Sequence, residues 1–381
     1  MNQSTDDNQP QRPQKMLTVA GGGWVILLAI ALCLGAALWL ATPALLRGMD
    51  PPLGDGINPE SYGFDLSLVN GDRDALTAGM RYRDMVHPLT MPPRLSVDEV
   101  NAKTGRKKYM VPSDLVIGVA VGDEARAYPL HVLNVHEIVN DTVGNKPIAV
   151  TYHWPSGGIR VFERTMNEQI LELGVSGLLY NGNAVYYDRK RDDMPTTQPS
   201  LWNQLEGTPL AGPAAQSQQT LNTYPTQLTT WASWLAAHPE TTVIDRDPTY
   251  ARVYKKSNPQ TGDPSYFTSN VLPNGTALSH TPDADSAPFK ERVIVVTDRN
   301  NKRYVYPYNL IAAQVDGDGN WIDETSGQPI RFSYVQDPEH VSAVYTDSNL
   351  PINAPYSFWF AWHALHPKDE LMTMPKTDKS D

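Results

Sequence analysis

Val116-Ile117-Gly118-Val119-Ala120-Val121-Gly122-Asp123-Glu124-Ala125-Arg126-Ala127-Tyr128-Pro129-Leu130 reads as a strand, a Gly-Asp turn and a second strand closed by proline. Short β-branched or aromatic runs bounded by Gly, Pro, Asn or Asp mark strands, and a Gly-Asp pair between two of them marks a hairpin. The pattern returns as Val293-Ile294-Val295-Val296 followed by Tyr304-Val305-Tyr306-Pro307-Tyr308. Further along, Asp141-Thr142-Val143-Gly144 and Pro147-Ile148-Ala149-Val150-Thr151-Tyr152 correspond to Glu324-Thr325-Ser326-Gly327 and Pro329-Ile330-Arg331-Phe332-Ser333-Tyr334. Trp231-Ala232-Ser233-Trp234 through His238-Pro239 corresponds to Trp359-Phe360-Ala361-Trp362 through His366-Pro367. Three blocks in one order predict two related β-rich units in one body, 113–250 and 251–372. Two copies are too few for a solenoid.

The other strong runs are Gly158-Ile159-Arg160-Val161-Phe162 and Ala184-Val185-Tyr186-Tyr187-Asp188, again strands. Helices are few: a short one over Leu130–Ile138, and two closed by His-Pro, over Thr229–Ala237 and Tyr356–Leu365. The fold class is therefore α+β and β-rich. Asp50-Pro51-Pro52 and Met91-Pro92-Pro93 stop any long helix in 47–112, which reads as an extended Pro/Gly-rich linker packing on the body. Asp65–Asn70 alternates there like a short strand. The ends, 1–15 and 373–381, are polar and aperiodic, the signature of disordered tails.

Between Met16 and Leu46 no residue is charged. A helix crosses the hydrocarbon core with about 20 apolar residues, so 16–46 is expected to be a single transmembrane anchor. Trp24 and Trp39 stand near its two interfaces. Arg12 and Lys15 before the run, against Arg47 after it, favour a cytoplasmic N-terminus and an exported body. The expected topology is single-pass, with the body on the far side of the membrane. A cleaved signal peptide is the competing reading, although Thr42-Pro43-Ala44 is a poor cleavage site. The single cysteine, Cys33, lies inside the anchor, so the body has no disulfide and no thiol nucleophile. The net charge of −11 argues against a nucleic-acid partner.

Chemistry is expected in the first unit. It carries His136, where the second unit has no histidine, and an insertion from Tyr152 to about Pro213. Within that insertion Ser176, Tyr180, Asn181, Asp188, Trp202 and Gln204 gather near strand ends and are the expected ligand-binding residues. Ser176 sits in Gly-Val-Ser-Gly, but Leu178 stands where a nucleophile elbow needs its second glycine. No catalytic residue is assigned. The chain's nine Trp, seven of them beyond the anchor, and eighteen Tyr supply rings for protein partners as well as for the core.

These segments carry a resemblance. Arg126-Ala127-Tyr128-Pro129-Leu130, His136-Glu137-Ile138-Val139-Asn140-Asp141, Gly174-Val175-Ser176-Gly177-Leu178-Leu179-Tyr180-Asn181 and Trp359-Phe360-Ala361-Trp362-His363-Ala364-Leu365-His366-Pro367 resemble the bacterial family of unknown function called DUF3179, over about 112–370. The resemblance implies an exported or membrane-anchored bacterial protein and brings no established activity. It also implies a Cys-Pro-x-Cys-type motif after the Thr-Tyr strand, forming a metal or redox site with the histidine of His-Glu-Ile-Val-Asn-Asp. Here those four positions are His153, Trp154, Pro155 and Ser156. Imidazole can stand in for a thiolate towards copper or zinc, so one expectation is a metal site at His136 and His153, with His131 or Glu137 beside them. The others are an accessory subunit of a membrane complex that keeps the fold without the site, and a small-molecule pocket around Tyr180 and Asn181.

Overall fold

A computed structural model describes residues 23–47, 52–103, 108–189, 198–254, 264–272, 276–283 and 285–373. The chain divides into two units, 1–52 and 53–381. The first holds helix α1 (Gly23–Arg47), on which the side chains of 24–40 are described and exposed. No helix among the described residues is long and apolar enough to cross a membrane. The anchor expected over 16–46 extends beyond those side chains at both ends. The tails expected at 1–15 and 373–381 lie, apart from Thr373, outside the described residues.

The second unit is β-rich. Its leading segment supplies β1 (Leu76–Ala78), β2 (Leu89–Thr90), β3 (Arg94–Ser96) and α2 (Val97–Ala102), the helix opened by a Ser96/Glu99 capping box. The stretch 65–70 forms no strand, only an isolated bridge from Val69 to Ala211. Next come β4 (Leu115–Val121), β5 (Glu124–Pro129), α3 (Leu130–His136), β6 (Ile138–Val143), β7 (Lys146–His153) and β8 (Gly158–Glu163). The insertion adds β9 (Thr165–Met166), β10 (Gln169–Ile170), β11 (Leu173–Tyr180), β12 (Asn183–Asp188), β13 (Leu201–Asn203), β14 (Pro209–Ala211) and α4 (Pro213–Ser217). Then follow β15 (Gln227–Thr230), α5 (Trp231–Ala237), β16 (Thr242–Ile244), α6 (Ala251–Tyr254) and α7 (Pro264–Thr268). The chain finishes with β17 (Arg292–Thr297), β18 (Arg303–Pro307), α8 (Tyr308–Gln314), β19 (Asn320–Asp323), β20 (Ile330–Gln336), β21 (Glu339–Tyr345), β22 (Tyr356–Phe358) and α9 (Trp359–Leu365).

The same local bonds occur twice. Hairpin β4–β5 turns at Gly122-Asp123, with Gly122 at φ +59, a conformation glycine adopts without a Cβ clash. β15 adds to β4 with Thr229 opposite Val116, and β22 adds to β17 with Ser357 opposite Val293. The Tyr128 hydroxyl donates to Asp141 (2.9 Å) and the Tyr306 hydroxyl to Asp323 (2.6 Å). Asp141 faces Ile148 across its strand pair as Asp323 faces Ile330. The counterpart of Asp141 is thus Asp323, not Glu324, one residue from the sequence alignment. At the end of α5 the His238 ring stacks on Trp234 (centroids 4.0 Å), and at the end of α9 the His366 ring stacks on Trp362 (4.4 Å).

The sheets cross the boundary between the copies. One runs β15-β4-β5-β16-β3; another runs β18-β17-β22-β8-β7-β6-β2; a third is β19-β20-β21. β22 of the second copy therefore pairs with β8 of the first, and β15 of the first lies beside β21 of the second. A single core joins them: Ile117, Tyr128, Val150 and Val161 pack with Ile294, Tyr306, Phe332 and Tyr356. The insertion strands, joined by β1 of the leading segment, form the sheet β1-β11-β12-β13-β14, laid on one face of β6–β8 through Ala149, Phe162, Tyr186 and Trp202.

Gly118 is fixed by this packing. A Cβ there would lie 2.2 Å from the Trp234 ring, whereas the corresponding residue in the second copy is Val295. Overpacking a filled core costs about 1–3 kcal/mol. Gly118→Ala is expected to lower stability by that amount in urea denaturation, and an unchanged midpoint would contradict the packing.

Candidate functional site

Side chains alternate along a strand, so β7 and β8 present two faces. Ile148, Val150, Tyr152, Ile159 and Val161 face the shared core. Thr151, His153, Gly158 and Arg160 face the insertion sheet, with Thr151 opposite Arg160 and His153 opposite Gly158.

On the insertion side lies a buried polar layer. The Ser156 hydroxyl donates to Asn183 Oδ1, and His153 Nδ1 lies 2.8 Å from that hydroxyl. With the serine proton committed to Asn183, Nδ1 of His153 is the protonated nitrogen. Burial pushes the His153 pKa down to about 3, so the ring is neutral. Gln204 Nε2 donates to Thr151 Oγ1 (3.0 Å). Arg160 is buried, and its Nε and Nη1 have no hydrogen-bond partner among the described residues. Desolvation pushes its pKa down to about 10. Asn183 Nδ2 and Gln204 Oε1 are likewise unpartnered.

Glu137 follows α3 with φ 56 and ψ −35, an unusual conformation for a residue with a side chain. Its carboxyl is buried, and Oε2 has no hydrogen-bond partner among the described residues. Burial pushes its pKa up to about 8. The Tyr186 hydroxyl, also unpartnered, is raised first by burial and then by the Glu137 charge.

On the core side is a cavity of about 330 Å³. Its lining includes Tyr152, Leu228, Arg292, Tyr308, Glu339 and Tyr356, from both copies. Arg292 donates to the Glu339 carbonyl (2.9 Å) and lies 3.3 Å from its carboxylate. Burial pushes the Tyr152 pKa up to about 12 and raises those of Tyr308 and Tyr356, so all three hydroxyls keep their protons at neutral pH.

The residues singled out in the sequence scatter. Ser176 is buried, its hydroxyl donating to the Val185 carbonyl (2.5 Å). The Tyr180 hydroxyl accepts from Asp72 N (3.0 Å), and Asn181 Oδ1 accepts from Ser279 N (2.6 Å). Asp188 accepts from Ser200 N (2.5 Å) and Trp202 Nε1 (3.3 Å), burial pushing its pKa up to about 6. None of these lines the cavity; Gln204 alone among the six joins the layer around His153. His136 has both ring nitrogens occupied, by the His87 carbonyl and the Tyr254 hydroxyl, each at 2.6 Å. It shares no bonding partner with His153. Among the described residues no group of three or more His, Cys, Asp or Glu is arranged to hold a metal ion. The sequence reading missed Arg160, although a charged residue at an inward position of an apolar strand was a visible signal. It named Glu137 only as a companion to a metal.

A family described as "Protein of unknown function (DUF3179)" matches residues 91–369. No curated protein matches the chain. No solved structure matches it.

Proposed function

This chain belongs to the DUF3179 family, and from that premise we propose that it is a membrane-anchored binding protein of the bacterial envelope. Its body lies outside the inner membrane and takes a small organic molecule into the cavity between two related units. One observation carries this reading: the cavity of about 330 Å³ sets apolar side chains beside a comparable polar share that includes Arg292, Glu339, Asp337, Asp114 and His131, and pockets that place polar groups among apolar ones hold small molecules. Three protonated tyrosines and an Arg292–Glu339 pair suit recognition of a molecule with an apolar body and a polar edge. They supply no activated nucleophile, which favours binding over catalysis. The uncharged run from Met16 to Leu46, with Arg12 and Lys15 before it, supports the anchor and its orientation. Docking of the body on a membrane complex fits the same placement.

A thermal-shift screen of amphipathic aromatic compounds on the full-length protein in mild detergent tests the binding. A ligand at saturation is expected to raise Tm by about 4 °C. Leu228→Trp, which fills the cavity, should keep the fold by circular dichroism and lose the shift. An equal shift in that variant, or no shift with any compound, would remove the cavity as the site.

A further inference from the structure

Ile57 is 81% exposed and Leu53 50%. The loop that carries them is pinned by its own hydrogen bonds. The Asp55 carboxylate accepts from Ile57 N (2.8 Å) and Asn58 N (2.7 Å), and Ser61 Oγ accepts from Asp55 N (3.0 Å). The Leu53 carbonyl accepts from Arg83 N (2.7 Å), which ties the loop to the body. Arg81 is exposed beside it: a Cβ built on Gly56 would lie 3.4 Å from Arg81 Cα. Fixed apolar side chains next to a guanidinium match the boundary of a bilayer, where apolar groups enter and charge stays among the headgroups.

The place of this patch in the chain says what covers it. The uncharged run ends at Leu46, and Leu53 is the sixth residue after Arg47. An extended chain spans at most about 3.6 Å per residue, so Leu53 lies within about 20 Å of Arg47. With 16–46 in the bilayer, Arg47 stands at the edge of the hydrocarbon core, and the headgroups fill about the first 6 Å beyond it. We propose that Leu53, Ile57 and Arg81 form a seat on the membrane surface. Ile57 enters the boundary between headgroups and acyl chains, and Arg81 donates to lipid phosphate. The seat rests on the anchor of the proposed function and holds the body against the bilayer.

The full-length protein in nanodiscs of phosphatidylethanolamine and phosphatidylglycerol tests this. Cys33 is the single cysteine, so Cys33→Ala leaves a background in which one probe can be placed. A nitrobenzoxadiazole probe is attached through Ile57→Cys or, as the control, through Leu350→Cys, which is 63% exposed. Nitroxides carried on the acyl chains are expected to quench the probe at position 57 about two-fold and to leave the one at position 350 unchanged. Arg81→Glu, which sets a carboxylate against lipid phosphate, should weaken the quenching at position 57. Equal quenching at the two positions, or quenching unmoved by Arg81→Glu, would overturn the proposal. Flotation with vesicles of the same lipids reports the anchor separately. A chain that does not float loses the anchor and the seat together. One that floats with an unquenched probe at position 57 keeps the anchor and loses the seat.

Discussion

Glu137→Gln is expected to match wild type in stability near pH 4 and to exceed it by about 4 kcal/mol at pH 8. In the folded protein the Glu137 pKa is pushed up to about 8 from its ordinary 4.5, by burial. In the unfolded chain the carboxyl ionises above pH 4.5. Between those values the folded state binds the additional proton, so stability falls as pH rises, by about 1.4 kcal/mol per unit. Above pH 8 both states are ionised and the loss stops growing. Glutamine keeps the shape and has no proton to lose. His153 and His131, pushed down to about 3 and about 4, act with the opposite sign. They cost stability as pH falls below about 6.5, but equally in both proteins. Urea denaturation of the pair across this range is the measurement; a difference that stayed constant with pH would show that Glu137 ionises freely in the fold.

Asp141→Ala should be the more damaging substitution, costing about 3 kcal/mol, because it removes the buried carboxylate facing the Arg126 guanidinium and leaves that charge only the more exposed Glu124. The Asp141 carboxylate lies 2.7 Å from Arg126 Nη1, and both side chains are fully buried. It also accepts from Tyr128 and from Thr142 N. The second copy supplies the control. Asp323 accepts the equivalent tyrosine bond from Tyr306 and bonds to Thr325, but no arginine faces it. Position 126 corresponds there to Tyr304. Asp323→Ala is therefore expected to cost about 1 kcal/mol. Equal losses in the two variants would mean that the tyrosine bond, and not the ion pair, governs both positions.

The local grammar of the fold was readable. Val116–Leu130 announces its hairpin through a turn glycine and two β-rich runs, and the structure pairs it as β4–β5. The strands preceding α5 and α9 were less visible. The end of β15, Thr229–Thr230, and all of Tyr356–Phe358 read in sequence as parts of the helices that follow, because their strand character comes from pairing with β4 and β17. Leu76–Ala78 and Arg94–Ser96 are strands for the same reason: distant partners complete them. The alignment slipped at Glu324 because it matched Gly327 to Gly144, whereas the strand register sets Asp323 opposite Ile330 at the same spacing as Asp141 opposite Ile148. The site was less legible than the fold. Tyr180 and Asn181 have the composition of a pocket but spend their polar atoms on neighbouring backbone. The cavity is assembled from residues distant in the sequence, such as Tyr152 and Tyr356, and no local motif could bring them together.

Because β22 completes β8, and β15 leans on β21, neither copy could be excised without opening a raw sheet margin to water. Either copy made alone is therefore expected to self-associate through that margin, in a way that depends on its concentration, whereas the joined pair satisfies the edge within one chain.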